Sequence, residues 1–151
     1  MTIFVSKSRR VLEVRDGERL VAAYPIGIGK AGLGHKQREG DLRTPVGSYR
    51  VCVKNPRSRY HLSLGLDYPN PDDARAGLRA GLISQAELDA VCAAHERGAI
   101  PPWKTALGGE IYIHGQLELQ DWSAGCIRLR DPDIEALFAA TAVGTQVRID
   151  D

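Results

Sequence analysis

Two residues of this 151-residue chain have the type and the setting for nucleophilic chemistry, Cys126 and His114. Cys126 follows the small-residue run Ser123-Ala124-Gly125 and precedes Ile127-Arg128-Leu129-Arg130. A thiol kept for packing needs apolar neighbours and no glycine, whereas a nucleophilic thiol needs a thin, tight turn that exposes its sulfur. The N–H groups of Gly125 and Cys126 can then point at an oxyanion developing on a substrate carbonyl. His114 ends the stretch Glu110-Ile111-Tyr112-Ile113-His114, and Gly115 follows. On a strand, Ile111 and Ile113 share one face and Tyr112 and His114 the other, so the imidazole reaches a cleft at the strand end. Cys126 lies twelve positions beyond His114 across a polar loop, short enough to return the chain beside the strand it left. Imidazole and thiol then come within hydrogen-bond reach, where an imidazolium favours the attacking thiolate. Arg128, two residues past Cys126, projects to the same side on an extended segment and suits a substrate carboxylate. The plainer alternatives are a hydrogen-bonded structural histidine and a solvated strand arginine.

The elements that must position these residues are mostly strands. Val11 to Val14 and Leu20 to Ile28 flank Asp16-Gly17, a hairpin signal. Ser48 to Lys54 alternates, with Val51 and Val53 on one face and Arg50, Cys52 and Lys54 on the other. Another strand is expected over His61 to Leu66, and a closing one over Gln146 to Ile149. A short helix is expected over residues 72 to 80, stopping at Gly81. Ser84-Gln85-Ala86-Glu87 matches a capping box, and Leu88, Val91, Cys92 and His95 then fall on one helical stripe, with His95 at the helix's end. A last helix starts at Asp131-Pro132, read as N-cap and N1, and ends near Gly144. The long segment from Tyr68 to Leu107 is of the kind that covers sites. The reading is one β-rich domain over residues 1–151 with peripheral helices.

Composition narrows the function classes. Twenty basic side chains nearly balance nineteen acidic ones, for a net charge of +1, which disfavours a nucleic-acid partner. No apolar run approaches the roughly 18 residues that suggest a membrane span. No signal peptide is visible, so a cytoplasmic protein, another export route or a trimmed chain is expected. Cys52, Cys92 and Cys126 are odd in number and far apart, which is no disulfide framework, and no CxxC pair supports zinc. Neither a metal nor a cofactor is expected. Cys52 reads as a plain strand residue and Cys92 as a buried helix residue.

His114-Gly115 followed by Ser123-Ala124-Gly125-Cys126-Ile127-Arg128-Leu129 resembles the active-site signature of the L,D-transpeptidase (YkuD-type) catalytic domain. Gly40-Asp41-Leu42-Arg43-Thr44-Pro45-Val46-Gly47 resembles that family's second signature, and Tyr60 to Gly65 and Tyr68-Pro69-Asn70 fit its middle portion. The resemblance covers nearly the whole chain. It implies a mainly β, β-sandwich-like catalytic domain with a few peripheral helices. It further implies attack by Cys126 on a peptidoglycan stem peptide, loss of a terminal D-residue, and a thioester resolved by an amine. Carried over by position, Cys126 is the nucleophile, His114 the base and the Gly115 carbonyl the group that orients the imidazole. Arg128 holds a substrate carboxylate, with Ser123, Gly125 and Tyr112 as further substrate-binding positions. A carbapenem adduct and an envelope or periplasmic location are implied in the same way, and a monomer is expected. Two departures stand out: Ala124 occupies a position where many members have histidine, as in a branch with an Asp-Trp-Ser/Thr-x-Gly-Cys motif, and the His114-to-Cys126 spacing is short. Hydrolysis of the same thioester, by an L,D-carboxypeptidase or endopeptidase, is the near alternative. A non-catalytic wall-peptide-binding module is the distant one, and the intact Cys-His pair argues against it.

Overall fold

The structure, a computed structural model, describes residues 1–117 and 123–151. Alternation writes the first strand directly: in β1 (Thr2–Ser6) Ile3 and Val5 point inward and Phe4 outward. β2 (Val11–Asp16) buries Leu12 and Val14 and returns through a tight turn at Gly17, φ +62°, into β3 (Arg19–Pro25). β3 stops at Pro25, short of the expected Ile28, because proline has no N–H to continue the ladder. Beyond it, Ile26 and Ile28 are buried without belonging to a strand.

β4 (Gly47–Ser58) is twelve residues long and serves two neighbours. Its first part, Gly47 to Arg50, pairs antiparallel with β8 (Gln146–Asp150). Its later part pairs antiparallel with β5 (His61–Leu66), with register shifts on the way. β6 (Tyr112–His114) runs antiparallel to β5, and β7 (Ile127–Arg128) runs parallel to β6. β1 lies parallel to β8. The eight strands thus follow the order β3-β2-β1-β8-β4-β5-β6-β7. Gly27 and Arg128 exchange N–H···O bonds of 2.9 Å, so the segment after β3 meets β7 and the two ends of the order approach each other. The sheet is folded over one apolar core that includes Ile3, Leu12, Ile28, Leu64, Leu66, Ile113, Ile127 and Leu129. Burying each such side chain stabilises the fold by about 1.5–3 kcal/mol. This is the mainly β, sandwich-like architecture with peripheral helices that the sequence predicts.

α1 (Pro71–Arg79) and α2 (Gln85–Glu96) both begin with capping boxes, Asn70 with Asp73 and Ser84 with Glu87. They bury a satellite cluster of Ala74, Ile83, Val91 and Leu107. Cys92 is half-buried, which corrects the fully buried position expected of it: the α2 face turns Val91 and Ala94 inward. α3 (Asp131–Ala140) packs Ile134 and Leu137 inward. Its N-cap is Arg130, which makes no side-chain capping bond, and Asp131 is already helical. The Asp131 carboxylate instead accepts from the N–H of Gln116, 2.8 Å away. The helix ends at Ala140, before the expected Gly144, where Thr141 turns extended.

Candidate active site

The parallel pairing of β6 and β7 organises the site. Ile113 lies opposite Ile127, both in the core, and His114 lies opposite Arg128. Alternation therefore sends Tyr112, His114 and Arg128 to the outer face of this strand pair. Cys126 stands just before β7 and its sulfur lies against the start of β6. The Tyr112 N–H donates to Sγ at 3.4 Å, and Sγ is 3.6 Å from the Glu110 carbonyl. Gly65, opposite Tyr112 on β5, leaves room for the tyrosine ring, since a Cβ there would come within 3.1 Å of it. Trp103 meets Tyr112 edge-on, with ring centroids 5.8 Å apart. Glu110 and Gln116, at φ +55° and +64°, bracket β6 in the left-handed region that non-glycine residues seldom adopt. Such strained positions cluster at functional sites.

His114 is buried, and its Nδ1 lies 2.7 Å from the Gly115 carbonyl. A carbonyl only accepts, so Nδ1 carries the hydrogen and Nε2 keeps the lone pair. The imidazole stacks on Tyr60, centroids 4.5 Å apart and planes 20° apart. Gly115 donates its N–H to the Tyr60 carbonyl at 3.1 Å. A Cβ on Gly115 would fall 2.6 Å from an Asp131 carboxylate oxygen and 3.0 Å from the Tyr60 carbonyl, so a side chain there would displace that carboxylate. Among the described residues no hydrogen bond joins His114 to Cys126; they sit on neighbouring segments, offset by two positions.

Burial pushes the His114 imidazole below its ordinary range, and the Arg128 charge lowers it further, against the pull of the Gly115 bond. Burial pushes the Cys126 thiol up, opposed by the Tyr112 N–H and by the charges of Lys36 and Arg128. The resting pair is therefore a neutral thiol and a neutral imidazole. Desolvation penalises both the thiolate and the imidazolium, so neither charge is favoured before substrate binds. Burial, reinforced by the Asp67 charge, pushes Cys52 up to about 12, which keeps that thiol protonated.

The cysteine turn is braced from several directions. The Ser123 hydroxyl donates to the Cys126 carbonyl at 2.7 Å and accepts the Gly125 N–H at 3.2 Å. Ser123, expected to bind substrate, thus has its hydroxyl committed within the turn, and the Gly125 N–H, expected to face an oxyanion, is directed at that hydroxyl. Gly125 adopts φ +142°, and a Cβ on it would meet the Arg43 carbonyl at 2.6 Å. The Gly125 carbonyl accepts the hydroxyl hydrogen of buried Thr44 at 2.8 Å, and Thr44 Oγ1 accepts the Gly29 N–H at 2.9 Å. Asp41 holds the segment before Thr44: it accepts N–H bonds from Gln37, Arg38 and Arg43 and pairs with buried Lys36 at 3.0 Å. Lys7, fully buried, donates to the Thr44 carbonyl at 2.8 Å and lies 3.2 Å from an Asp151 carboxylate oxygen. The second signature segment therefore forms the floor under the cysteine turn. Sequence reasoning assigned no role to Thr44, Lys7, Lys36 or Tyr60. Only the Gly40–Gly47 motif hinted at Thr44, and nothing in the sequence separates Lys7 from Arg9 or Arg10.

The other histidines are engaged. His35 accepts from Val46 N–H at 2.8 Å and contacts Asp73 at 2.7 Å, while His61 contacts Glu135 at 2.8 Å. A groove of about 680 Å³ lined by Tyr49, Asp67, Asn70, His95 and Arg148 includes neither Cys126 nor His114. Among the described residues no cluster of three or more His, Cys, Asp or Glu is placed to hold a metal, and no helix is long and apolar enough to cross a membrane. Asp121 and Trp122 of the branch motif lie outside the described residues.

The chain is 33% identical to "Probable L,D-transpeptidase YcfS" of Escherichia coli K12 over 149 residues, 88% of this chain and 38% of that protein. It superposes with a TM-score of 0.67 on the helical cell shape determining protein Pgp2 of Campylobacter jejuni, at 24% identity, covering 99% of this chain and 47% of that one. Bd1075 of Bdellovibrio bacteriovorus gives a TM-score of 0.65 at 26% identity, again over 99% of this chain and 47% of that one. The chain thus spans less than half the length of each of these relatives. The family model described as "YkuD: L,D-transpeptidase catalytic domain" matches residues 1–149, so the chain belongs to the L,D-transpeptidase catalytic-domain family.

Proposed function

We propose that this domain is a cysteine-dependent L,D-transpeptidase that acts on peptidoglycan stem peptides through a thioester at Cys126. The observation that carries the reading is the pinned tautomer of His114 beside Cys126. With Nδ1 committed to the Gly115 carbonyl, Nε2 is the only imidazole nitrogen free to accept a proton. The sulfur attacks the donor carbonyl as Nε2 takes the thiol hydrogen. Resting geometry without a His–Cys bond is compatible with this, because such contacts tighten when substrate binds. The Cys126 N–H stabilises the oxyanion. His114 then protonates the departing amine of the terminal D-residue, leaving the thioester. An incoming amine attacks the thioester, His114 removes its proton, and the thiolate leaves and is reprotonated. Arg128 holds the donor carboxylate, and Tyr112, whose N–H meets the sulfur and whose ring meets Trp103, borders the donor site. Peptidoglycan as substrate places the working protein in the cell envelope.

The test is incubation with a disaccharide tetrapeptide and mass spectrometry of the products. Cross-linked dimers are expected, and they should vanish in Cys126→Ala. Tripeptide alone would assign hydrolysis in place of transfer, and unchanged tetrapeptide would overturn the catalytic reading.

A further inference from the structure

We infer that Thr44 is a positioning residue for the oxyanion-binding N–H of Cys126, acting through the peptide bond it grips on the far side. The inference rests on the proposed acyl-transfer chemistry. A trans peptide unit is planar, with its C=O and N–H pointing in opposite directions. The unit between Gly125 and Cys126 is trans, since Tyr68–Pro69 is the only cis bond among the described residues. Its carbonyl is drawn to the Thr44 hydroxyl at 2.8 Å. The N–H at the other end of that plane is therefore aimed away from Thr44, out of the buried floor. Rotating the peptide would turn the N–H inward and remove the oxyanion donor while leaving the sulfur on the same Cα.

The grip is itself held. The Thr44 hydroxyl has one hydrogen, and the Gly29 N–H donated to Oγ1 at 2.9 Å forces that hydrogen toward Gly125. The Thr44 carbonyl is anchored by Lys7 at 2.8 Å, and the preceding N–H of Arg43 by Asp41 at 3.2 Å. Gly125 must lack a side chain for the approach, since the Arg43 carbonyl would lie 2.6 Å from its Cβ. The neighbouring N–H of Gly125 is taken by Ser123, so the Cys126 N–H is the donor the turn has left to aim.

The experiment separates acylation, which builds an oxyanion, from alkylation, which does not. Acylation of the full chain by a carbapenem and by p-nitrophenyl acetate is timed by mass spectrometry, with iodoacetamide as the alkylating control at the same pH. Thr44→Val should slow acylation about 10- to 100-fold while alkylation stays within about threefold. Thr44→Ser keeps the hydroxyl and should acylate within about threefold of the parent. Thr44→Ala leaves room for a water on Gly29 and Gly125 and should fall between them. Parent-like acylation in Thr44→Val, or equal loss of acylation and alkylation, would overturn the inference. So would failure of both Thr44→Val and Thr44→Ala to fold, read by circular dichroism, since the role would then be structural alone. A parent that reacts with the ester but not the carbapenem counts against the wall-peptide reading and leaves the Thr44 comparison intact. A parent that reacts with neither overturns both.

Discussion

The burial of His114 has a consequence for pH. Its imidazole takes up a proton only below the ordinary range, because desolvation first and the Arg128 charge next disfavour the charged form. The acid limb of kcat/KM should therefore fall with an apparent pKa below the ordinary 6.5. Stability shares the sign: the unfolded chain binds this proton more readily, so stability is lost as pH drops from about 6.5 through the folded value. His114→Ala should cost about 10²- to 10⁴-fold in turnover and flatten that limb. A limb unchanged in His114→Ala, with turnover near that of the parent, would move the base elsewhere. Arg128→Lys tests a second role. Lysine keeps the charge and loses the planar fork, so kcat/KM should drop and the loss should shrink with a donor whose carboxylate is amidated. Equal rates for parent and variant on both donors would remove Arg128 from substrate binding. The face on which each of the two lies is legible from period alone, because alternation fixes the face of a strand residue. The protonation state is not, because it depends on how much of the fold covers the imidazole.

At the scale of the elements, the turn that carries Cys126 is the most constrained piece. Gly125→Ala would place a Cβ at φ +142° and 2.6 Å from the Arg43 carbonyl. The expected cost is about 1–3 kcal/mol from backbone strain, with the turn displaced from Thr44. A thermal melt and the carbapenem acylation rate should both fall; an unaltered melt with parent acylation would show that the turn has slack. Local chemistry made the neighbouring elements readable where it acts alone. Asn70 and Ser84 cap α1 and α2 through residues three positions on, and their capping boxes are written in consecutive sequence. Asp131 has the same credentials and behaves differently, because Gln116 offers its carboxylate a backbone N–H from another segment. Cys92 failed for a related reason: helical spacing gives a stripe, but the packing of α1 and Leu107 decides which edge of the stripe is buried. The Thr44 contact with Gly125 spans 81 positions, and no local pattern announces such a pair.

Across the whole molecule, the site hangs on a lysine that touches no part of the proposed reaction. Lys7 follows β1, is fully buried, and donates to the carbonyls of Gly34 at 2.6 Å and Thr44 at 2.8 Å. Its backbone N–H is bonded to the Asp150 carbonyl at 2.9 Å, and its ammonium sits 3.2 Å from Asp151. It thus ties the β1–β8 pair to the loop that supports the cysteine turn. Lys7→Met keeps the length and apolar stem but leaves two carbonyls without the donor, each worth about 1–3 kcal/mol if buried. For a chain of this size a loss of about 2 kcal/mol lowers Tm by about 4–8 °C. Asp151 is half-exposed, so Asp151→Asn should cost at most about 1 kcal/mol. The expected order is therefore Lys7→Met well below Asp151→Asn in Tm, with acylation of Cys126 slowed only in the former, at temperatures where both remain folded. Equal melting of the two variants would show that the ion pair, and not the grip on the two carbonyls, is what Lys7 contributes. An undiminished acylation rate in a destabilised Lys7→Met would uncouple the strand pair from the site.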